Sequence, residues 1–389
     1  MECKRCNNSD ISYFYLGSKG YYCRKCIGFK RILFKEDIAP FDYVIDVDNS
    51  EYKFAYELTK YQKQASEETY NYLKTGNNVL LKCITGAGKT DIVVQSIAAY
   101  LKKGLKVCYA IPRKEVVIEL SKRFKQVFNK CNVCSVYGGH HENLSGDLII
   151  CTTHQLFRYH KTFDLLILDE VDAFPLSGNE TLMNIALNSC KGLYIFSTAT
   201  INDFLKDYLK KIPYKEVNLF VRPNLKPMYV PKTIYGFNPV NILVLIYLLK
   251  KETNQGIIFV SSKKMARMLY VILKAFFNIC YVFSDYEERD INILKFRNNQ
   301  YKFIISTTIL ERGISISNIS VYIYYDRKAA FDTSSLIQIV GRVRRGTNST
   351  KGEAYIISAV HSKEIRNCIK DIKESNKKYE MSILWQRYK

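Results

Sequence analysis

The stretch CITGAGKT, residues 83–90, has the spacing of a loop that cradles phosphate. Gly88, Lys89 and Thr90 fill the last three places of the pattern G-x-x-x-x-G-K-[ST], and Cys83 stands in the first. In such a loop the backbone amides of Thr85, Gly86, Ala87, Gly88 and Lys89 meet the phosphates. The Lys89 ammonium reaches the β- and γ-phosphates of ATP, and the Thr90 hydroxyl binds Mg²⁺. A Gly in first place only eases the turn off the preceding strand, so Cys83 is a tolerable substitution.

Downstream, LLILDEVDAF places Asp169 and Glu170 at the carboxyl end of an apolar run. Two adjacent acids on a buried strand are costly without a cation, so a Mg²⁺ site is the natural reading, with Asp169 holding the ion and Glu170 orienting an attacking water. Near the other end, QIVGRVRRG (residues 338–346) reads as a helix on which Arg342 and Arg345, three apart, share a face and can act as arginine fingers toward a γ-phosphate. Gly341 within that helix costs stability and suggests close approach to a neighbour.

The N-terminus carries a different chemistry. Cys3, Cys6, Cys23 and Cys26 form C-x2-C-x16-C-x2-C, two knuckles that can wrap one tetrahedral Zn²⁺ with four thiolates; a redox pair is the alternative. Cys131 and Cys134 repeat the short spacing, but NVCSV reads as a core strand and no second pair is near. Residues 1–35 hold eight Lys or Arg against two acids, interleaved with Tyr13, Phe14, Tyr15, Tyr21 and Tyr22, which could stack on bases or form the small core of a zinc ribbon.

These groups need elements to hold them. From Val79 onward, short runs rich in Val, Ile and Leu alternate with helical periods: VLLKC, KVCYAI, DLIICTT, DLLILDE and GLYIFSTAT, then GIIFV, YKFIIST, SVYIYY and EAYIIS. Strands at that spacing joined by helices predict parallel sheets, in two similar α/β lobes. Five of the eight prolines (Pro213, Pro223, Pro227, Pro231 and Pro239) fall between the two series and read as a linker.

With 389 residues, 47% hydrophobic and 24% charged, the chain exceeds one core and is globular rather than disordered. No run of about 18 uncharged apolar residues occurs and the start lacks an apolar signal region, so a cytoplasmic protein is expected, peripheral to the inner face of the membrane at most. A formal charge of +21 suggests a polyanionic partner, although a Lys-rich composition alone could produce it.

Over roughly residues 55–358 the motifs, in order, resemble superfamily 2 helicase-type motor ATPases: LTKYQKQAS, TGAGKT, AIPRKEV, TTHQLF (with Thr152 and Thr153), DEVD, STAT, IFVSS, STTILERG and QIVGRVRRG. The resemblance implies two tandem RecA-like parallel-sheet lobes behind a small zinc-ribbon-like unit. It gives Gln62 an adenine contact, places Gly313 at the nucleotide, assigns Pro112 and Arg113 to nucleic acid, and makes residues 197–200 a coupling segment. The domains expected are a four-Cys unit at 1–37, a first lobe at 38–212, a Pro-containing linker at 213–238, and a second lobe with a C-terminal helix at 239–389.

Together the four Cys, DEVDAFP, STAT and QIVGRVRRG resemble most closely the late competence ComFA family of naturally transformable Gram-positive bacteria. Arg344 departs from the pattern, since many members have Gly there. The resemblance implies an ATPase dependent on single-stranded DNA that acts as a translocase in DNA uptake, beside other competence proteins and the membrane DNA-uptake channel. A duplex-unwinding helicase of repair or replication restart is the competing reading, and two lobes and a ribbon leave no evident strand-separating wedge. A zinc-ribbon DNA-binding scaffold with degenerate lobes is the non-enzymatic alternative; Lys89, Asp169, Glu170 and Arg345 argue against it.

Overall fold

A computed structural model describes the chain except residues 312–315, 317, 327–330, 347, 348, 350 and 386–389. Gly313 therefore lies outside the described residues. Two compact units result, residues 1–83 with 88–219 and residues 84–87 with 220–389.

The first unit opens with an antiparallel hairpin, β1 (Phe14–Gly17) and β2 (Gly20–Cys23). Its main sheet has seven strands, all paired in parallel: β3 (Asn78–Cys83), β4 (Val107–Ile111), β5 (Val133–Val136), β6 (Leu148–Thr152), β7 (Phe163–Asp169), β8 (Cys190–Thr198) and β9 (Tyr214–Leu219). The spatial order is β5-β6-β4-β7-β8-β3-β9. Every residue of β4 and β6 is buried, as strands covered on both faces require. The helices Lys60–Lys74, Lys114–Val127 and Glu180–Asn188 each bury one apolar stripe; the first begins with a capping box between Thr59 and Gln62.

The second unit repeats the plan with six parallel strands: β10 (Lys232–Tyr235), β11 (Gly256–Val260), β12 (Ile279–Val282), β13 (Phe303–Ser306), β14 (Ser320–Tyr325) and β15 (Ala354–Ser358), in the order β10-β15-β14-β11-β13-β12. A closing helix, Lys363–Trp385, packs against the helix Thr333–Val340.

Three details differ from the expectation. The segment 213–238 is not a bare linker, because β9 pairs with β3 and β10 with β15, so each sheet draws an edge strand from it. Proline is compatible with that, since Pro213 directly precedes β9 and Pro223, Pro227 and Pro231 fall between the strands. The four-Cys segment is not a separate body either, and belongs to the first compact unit. The helix expected through QIVGRVRRG stops at Val340: Gly341 is its C-cap and Arg344 has a left-handed φ of 55°. Arg342 and Arg345 thus follow the helix on turns and share no helical face.

Candidate nucleotide and metal sites

The phosphate loop leaves β3 at Cys83, which is fully buried and paired with Leu219. The left-handed positions are Gly86 (φ 84°) and Gly88 (φ 87°), whereas Cys83 keeps a negative φ. The conformational need for glycine therefore falls later in the loop. A small apolar thiol suits the strand end, where burial pushes its pKa up to about 12 and keeps it neutral. At Gly88 the left-handed φ disfavours any side chain, and a Cβ there would also come within 2.4 Å of Gln62 Nε2, so that the flexible amide would have to shift. Gln62, expected at the adenine, thus packs on the loop itself. Its Oε1 accepts from the Thr59 backbone N–H at 3.0 Å.

Lys89 begins the helix after the loop, and its Nζ lies 3.4 Å from Asp169 Oδ1. Asp169 ends β7, and the sheet register sets it beside Ser197 on β8. Oδ1 accepts from Ser197 Oγ at 2.8 Å and from the Glu170 backbone N–H at 2.9 Å, while Oδ2 accepts from the Tyr109 hydroxyl at 2.7 Å. Burial acts to raise the Asp169 pKa, but the Lys89 charge and these donors outweigh it and leave it below the ordinary carboxylate value. For Lys89, burial acts to lower the pKa, and the carboxylates of Asp169, Glu170 and Asp172 more than offset it. The pair is therefore ionised, in a buried site kept tolerable by hydrogen bonds on both carboxylate oxygens.

Tyr109, on β4, was not anticipated. Its hydroxyl meets the Thr90 side chain as well as Asp169, which brings together the two residues expected to ligate Mg²⁺. One hydroxyl and one carboxylate are hard oxygen donors of the kind Mg²⁺ takes alongside phosphate oxygens and water, so the residues present fit that ion. A phenol in the otherwise apolar run VCYAI was the available signal, because a buried tyrosine hydroxyl needs a partner. A second unforeseen group lies behind the loop, where buried Asp91 accepts from the Tyr56 hydroxyl at 3.0 Å and pairs with Arg123.

The DEVD segment is tied to the STAT segment at two points, Asp169 and Asp172. Besides the Ser197 bond, Thr200 Oγ1 donates to Asp172 Oδ2 at 2.6 Å, and Asn202 Nδ2 reaches the Asp172 carbonyl at 3.4 Å. Glu170 has φ 57°, a left-handed conformation that marks a strained strand end. The two expected nucleic-acid residues, Pro112 and Arg113, are buried and half-buried at the start of the helix Lys114–Val127, and Thr152 and Thr153 of the TTHQLF motif are both buried. In the second unit Arg342 is buried, at 3% exposure, and Arg345 is exposed.

The four N-terminal cysteines converge. Their sulfurs lie within 4.8 Å of one another, with Cys3 and Cys26 at 3.7 Å and Cys6 and Cys23 at 3.8 Å. A tetrahedron with Zn–S near 2.3 Å has S···S edges of about 3.8 Å, so the four thiols fit one Zn²⁺. It is the one such group among the described residues; Cys131 and Cys134 are buried and take no part. The knuckles dock on the helix Glu180–Asn188: Asn184 Nδ2 donates to the Cys6 carbonyl at 2.9 Å, Asn188 Nδ2 to the Arg5 carbonyl at 3.0 Å, and Ile185 packs against the cysteines. Of the interleaved aromatics, Tyr22 is buried and Phe14 half-buried against Phe34, while Tyr13, Tyr15 and Tyr21 are exposed. Lys25 and Arg24 lie over Tyr13 and Tyr15.

No helix among the described residues is long and apolar enough to cross a membrane. The family model for the helicase conserved C-terminal domain matches residues 240–347, and that for the type III restriction enzyme res subunit matches residues 55–203. The chain is 33% identical over 390 residues to the competence protein ComFA of Streptococcus pneumoniae, covering 96% of this chain and 90% of that one. It is 28% identical over 396 residues to ComFA of Bacillus subtilis, covering 96% and 85%. Among solved structures, S. cerevisiae Dbp5 bound to RNA and ADP BeF3 matches with a TM-score of 0.64 at 22% identity, over 82% of this chain and 88% of that one. That likeness carries the fold, two RecA-like lobes.

Proposed function

The chain belongs to the ComFA family of competence proteins and is an ATP-hydrolysing enzyme of helicase superfamily 2, and we propose that it is a single-stranded-DNA translocase that drives DNA uptake in transformation. The observation that carries this reading is the bonding of Asp169 and Asp172 of the DEVD segment to the STAT segment. Asp169 is held by Ser197 and Asp172 by Thr200, so a change at the nucleotide moves the end of β8 with it. A motor needs that link between hydrolysis and grip.

In the resting site Lys89 neutralises Asp169. With nucleotide bound, the ammonium would turn to the β- and γ-phosphates, and the carboxylate would keep its Tyr109, Ser197 and Glu170 donors and be free to hold Mg²⁺. Mg²⁺ supplies charge neutralisation across the phosphates, and Thr90 and Asp169 would hold it. Glu170 orients the water, and Arg342 and Arg345 bring positive charge to the γ-phosphate. Zn²⁺ on Cys3, Cys6, Cys23 and Cys26 would fix the N-terminal hairpin, whose exposed Tyr13, Tyr15 and Tyr21 beside Lys25 and Arg24 suit stacking on a single strand.

The test compares ATP turnover on single-stranded DNA, duplex DNA and RNA. Single-stranded DNA of any sequence should stimulate strongly, because backbone contacts carry no sequence information. The apparent affinity should fall with salt by a log–log slope of about −0.7 per phosphate neutralised. Charge removal in the N-terminal unit should weaken that affinity and leave saturated turnover nearly intact. Efficient unwinding of a duplex tens of base pairs long would replace this reading with the helicase one.

A further inference from the structure

The largest fully buried side chain among the described residues is charged: Arg222, with 1% of its surface exposed, in the Pro-rich segment that joins the two series of strands. Its guanidinium joins the phosphate loop to the backbone of the arginine turn, with Nε donating to the Thr85 carbonyl at 3.0 Å. Nη2 donates to the Gly341 carbonyl at 2.9 Å and Nη1 to the Val343 carbonyl at 3.1 Å. Two residues on, Asn224 Nδ2 donates to the Arg344 carbonyl at 2.8 Å. The carbonyls that a longer helix would have used are thus taken by two side chains from outside it.

The donors are themselves held. The Leu225 carbonyl accepts from the Tyr379 hydroxyl at 2.7 Å, and Asn376 clasps Met228 by both its N–H and its carbonyl, each at 2.8 Å. Arg344, left-handed at φ 55°, adds a bond from Nε to the Gly352 carbonyl at 3.2 Å and lies over the Tyr229 ring. Burial, with Arg345 nearby, draws the Arg222 pKa down to about 9, so it stays charged at neutral pH and needs those carbonyls.

We infer that Arg222 and Asn224 are positioning residues for the arginine turn. They end the helix at Val340 and fix the backbone from Gly341 to Arg344, which sets where Arg342 and Arg345 point. The guanidinium suits this role because its planar fork spans two carbonyls at once, which a lysine ammonium cannot do in the same geometry. The inference rests on the proposed finger role of Arg342 and Arg345, and the test separates the two.

Turnover at saturating ATP and single-stranded DNA, KM for ATP and DNA affinity are measured for the wild type, Arg222→Lys, Arg222→Ala, Asn224→Ala, Arg345→Ala, Arg342→Ala and the double variant Arg222→Ala with Arg345→Ala. Positioning predicts that Arg222→Ala lowers kcat by about 10- to 100-fold with DNA affinity within about threefold, and that Asn224→Ala, which does not touch the phosphate loop, keeps KM for ATP within about threefold while kcat falls. Arg222→Lys should recover little, Asn224→Ala should lose less, and the double variant should be no slower than the worse single. Should Arg222→Ala not fold, the kcat-against-KM split of Arg222→Lys and Asn224→Ala decides. Loss of turnover in Arg342→Ala or Arg345→Ala with normal turnover in the Arg222 and Asn224 variants overturns the positioning inference alone. Normal turnover in both Arg342→Ala and Arg345→Ala overturns the finger reading and the inference with it. Multiplying losses in the double variant would assign Arg222 an independent role and overturn it too.

Discussion

The Tyr109 hydroxyl donates to Asp169 Oδ2 at 2.7 Å from the neighbouring strand, and the same oxygen touches Thr90. One phenol thereby orients both side chains that would hold Mg²⁺. Tyr109→Phe keeps the ring and its packing against Phe124 but removes the donor to a charged acceptor, a loss of about 1.5–3 kcal/mol in stability. Because groups behind metal ligands tune the metal site, it should also weaken Mg²⁺ dependence or activity by about 10- to 100-fold. A Mg²⁺ titration of ATP turnover, with thermal unfolding alongside, checks both; unchanged Mg²⁺ dependence would assign the bond to stability alone.

Lys89 and Glu170 should separate by behaviour. Lys89→Ala removes the cation beside Asp169 and the charge for the β- and γ-phosphates, so turnover should fall by at least about 100-fold and nucleotide affinity with it. Glu170→Gln retains shape and hydrogen bonding but not basicity, so nucleotide should bind normally while hydrolysis drops about 10²- to 10⁴-fold. DNA affinity should survive in both. Near-normal hydrolysis by either variant would reject the site assignment.

How much of this was legible depended on the range of the forces involved. The fully buried runs VCYAI and LIICT announce central parallel strands by composition alone, and the loop, the acid pair and the four Cys follow from local spacing. β9 escaped because it is an edge strand with an exposed, polar face, set in a Pro-rich stretch where its hydrogen-bonding partner β3 is far away in sequence. The end of the arginine helix escaped for a similar reason. SSLIQIVGRV is a sound helical pattern, and it is stopped by Arg222, 119 residues away from Gly341. Tyr109 was visible only as a polar tip in an apolar strand, without its partner.

Purified protein should carry one zinc per chain, released when Cys23 is changed to Ser and retained in Cys131→Ser, because among the described residues only Cys3, Cys6, Cys23 and Cys26 bring as many as three such ligands together. Binding of about 10–16 kcal/mol is what lets so small a knuckle hold its fold, so chelation should unfold the hairpin and expose Ile185. Asn188→Ala should loosen the docking by about 1 kcal/mol while the metal stays bound, since it removes hydrogen bonds to Arg5 and Asn7 and no ligand. Elemental analysis with limited proteolysis distinguishes these cases. Zinc loss in Cys131→Ser, or none bound at all, would reject the site.

Arg344 offers a test in which two substitutions should differ in sign or size. Its φ of 55° costs any residue with a Cβ about 1 kcal/mol, a cost glycine escapes. Against that strain the Arg344 side chain supplies a bond to the Gly352 carbonyl and a position over Tyr229, 4.8 Å from the ring centroid. Each is worth roughly 0.5–1.5 kcal/mol. Arg344→Gly gives up the contacts and relieves the strain, so it should be destabilised by about 0–2 kcal/mol, about 1 kcal/mol less than the alanine variant. Arg344→Ala gives up the same contacts and keeps the strain, and should be destabilised by about 1–3 kcal/mol. Since the backbone of the turn is still held by Arg222 and Asn224 through the carbonyls of Gly341, Val343 and Arg344, turnover in Arg344→Gly should remain within about threefold of the wild type. Thermal unfolding and ATP turnover decide it: equal destabilisation by Gly and Ala would mean that the left-handed turn carries no strain, and a large turnover loss shared by both variants would mean that the Arg344 side chain, rather than the clasped carbonyls, fixes the arginines.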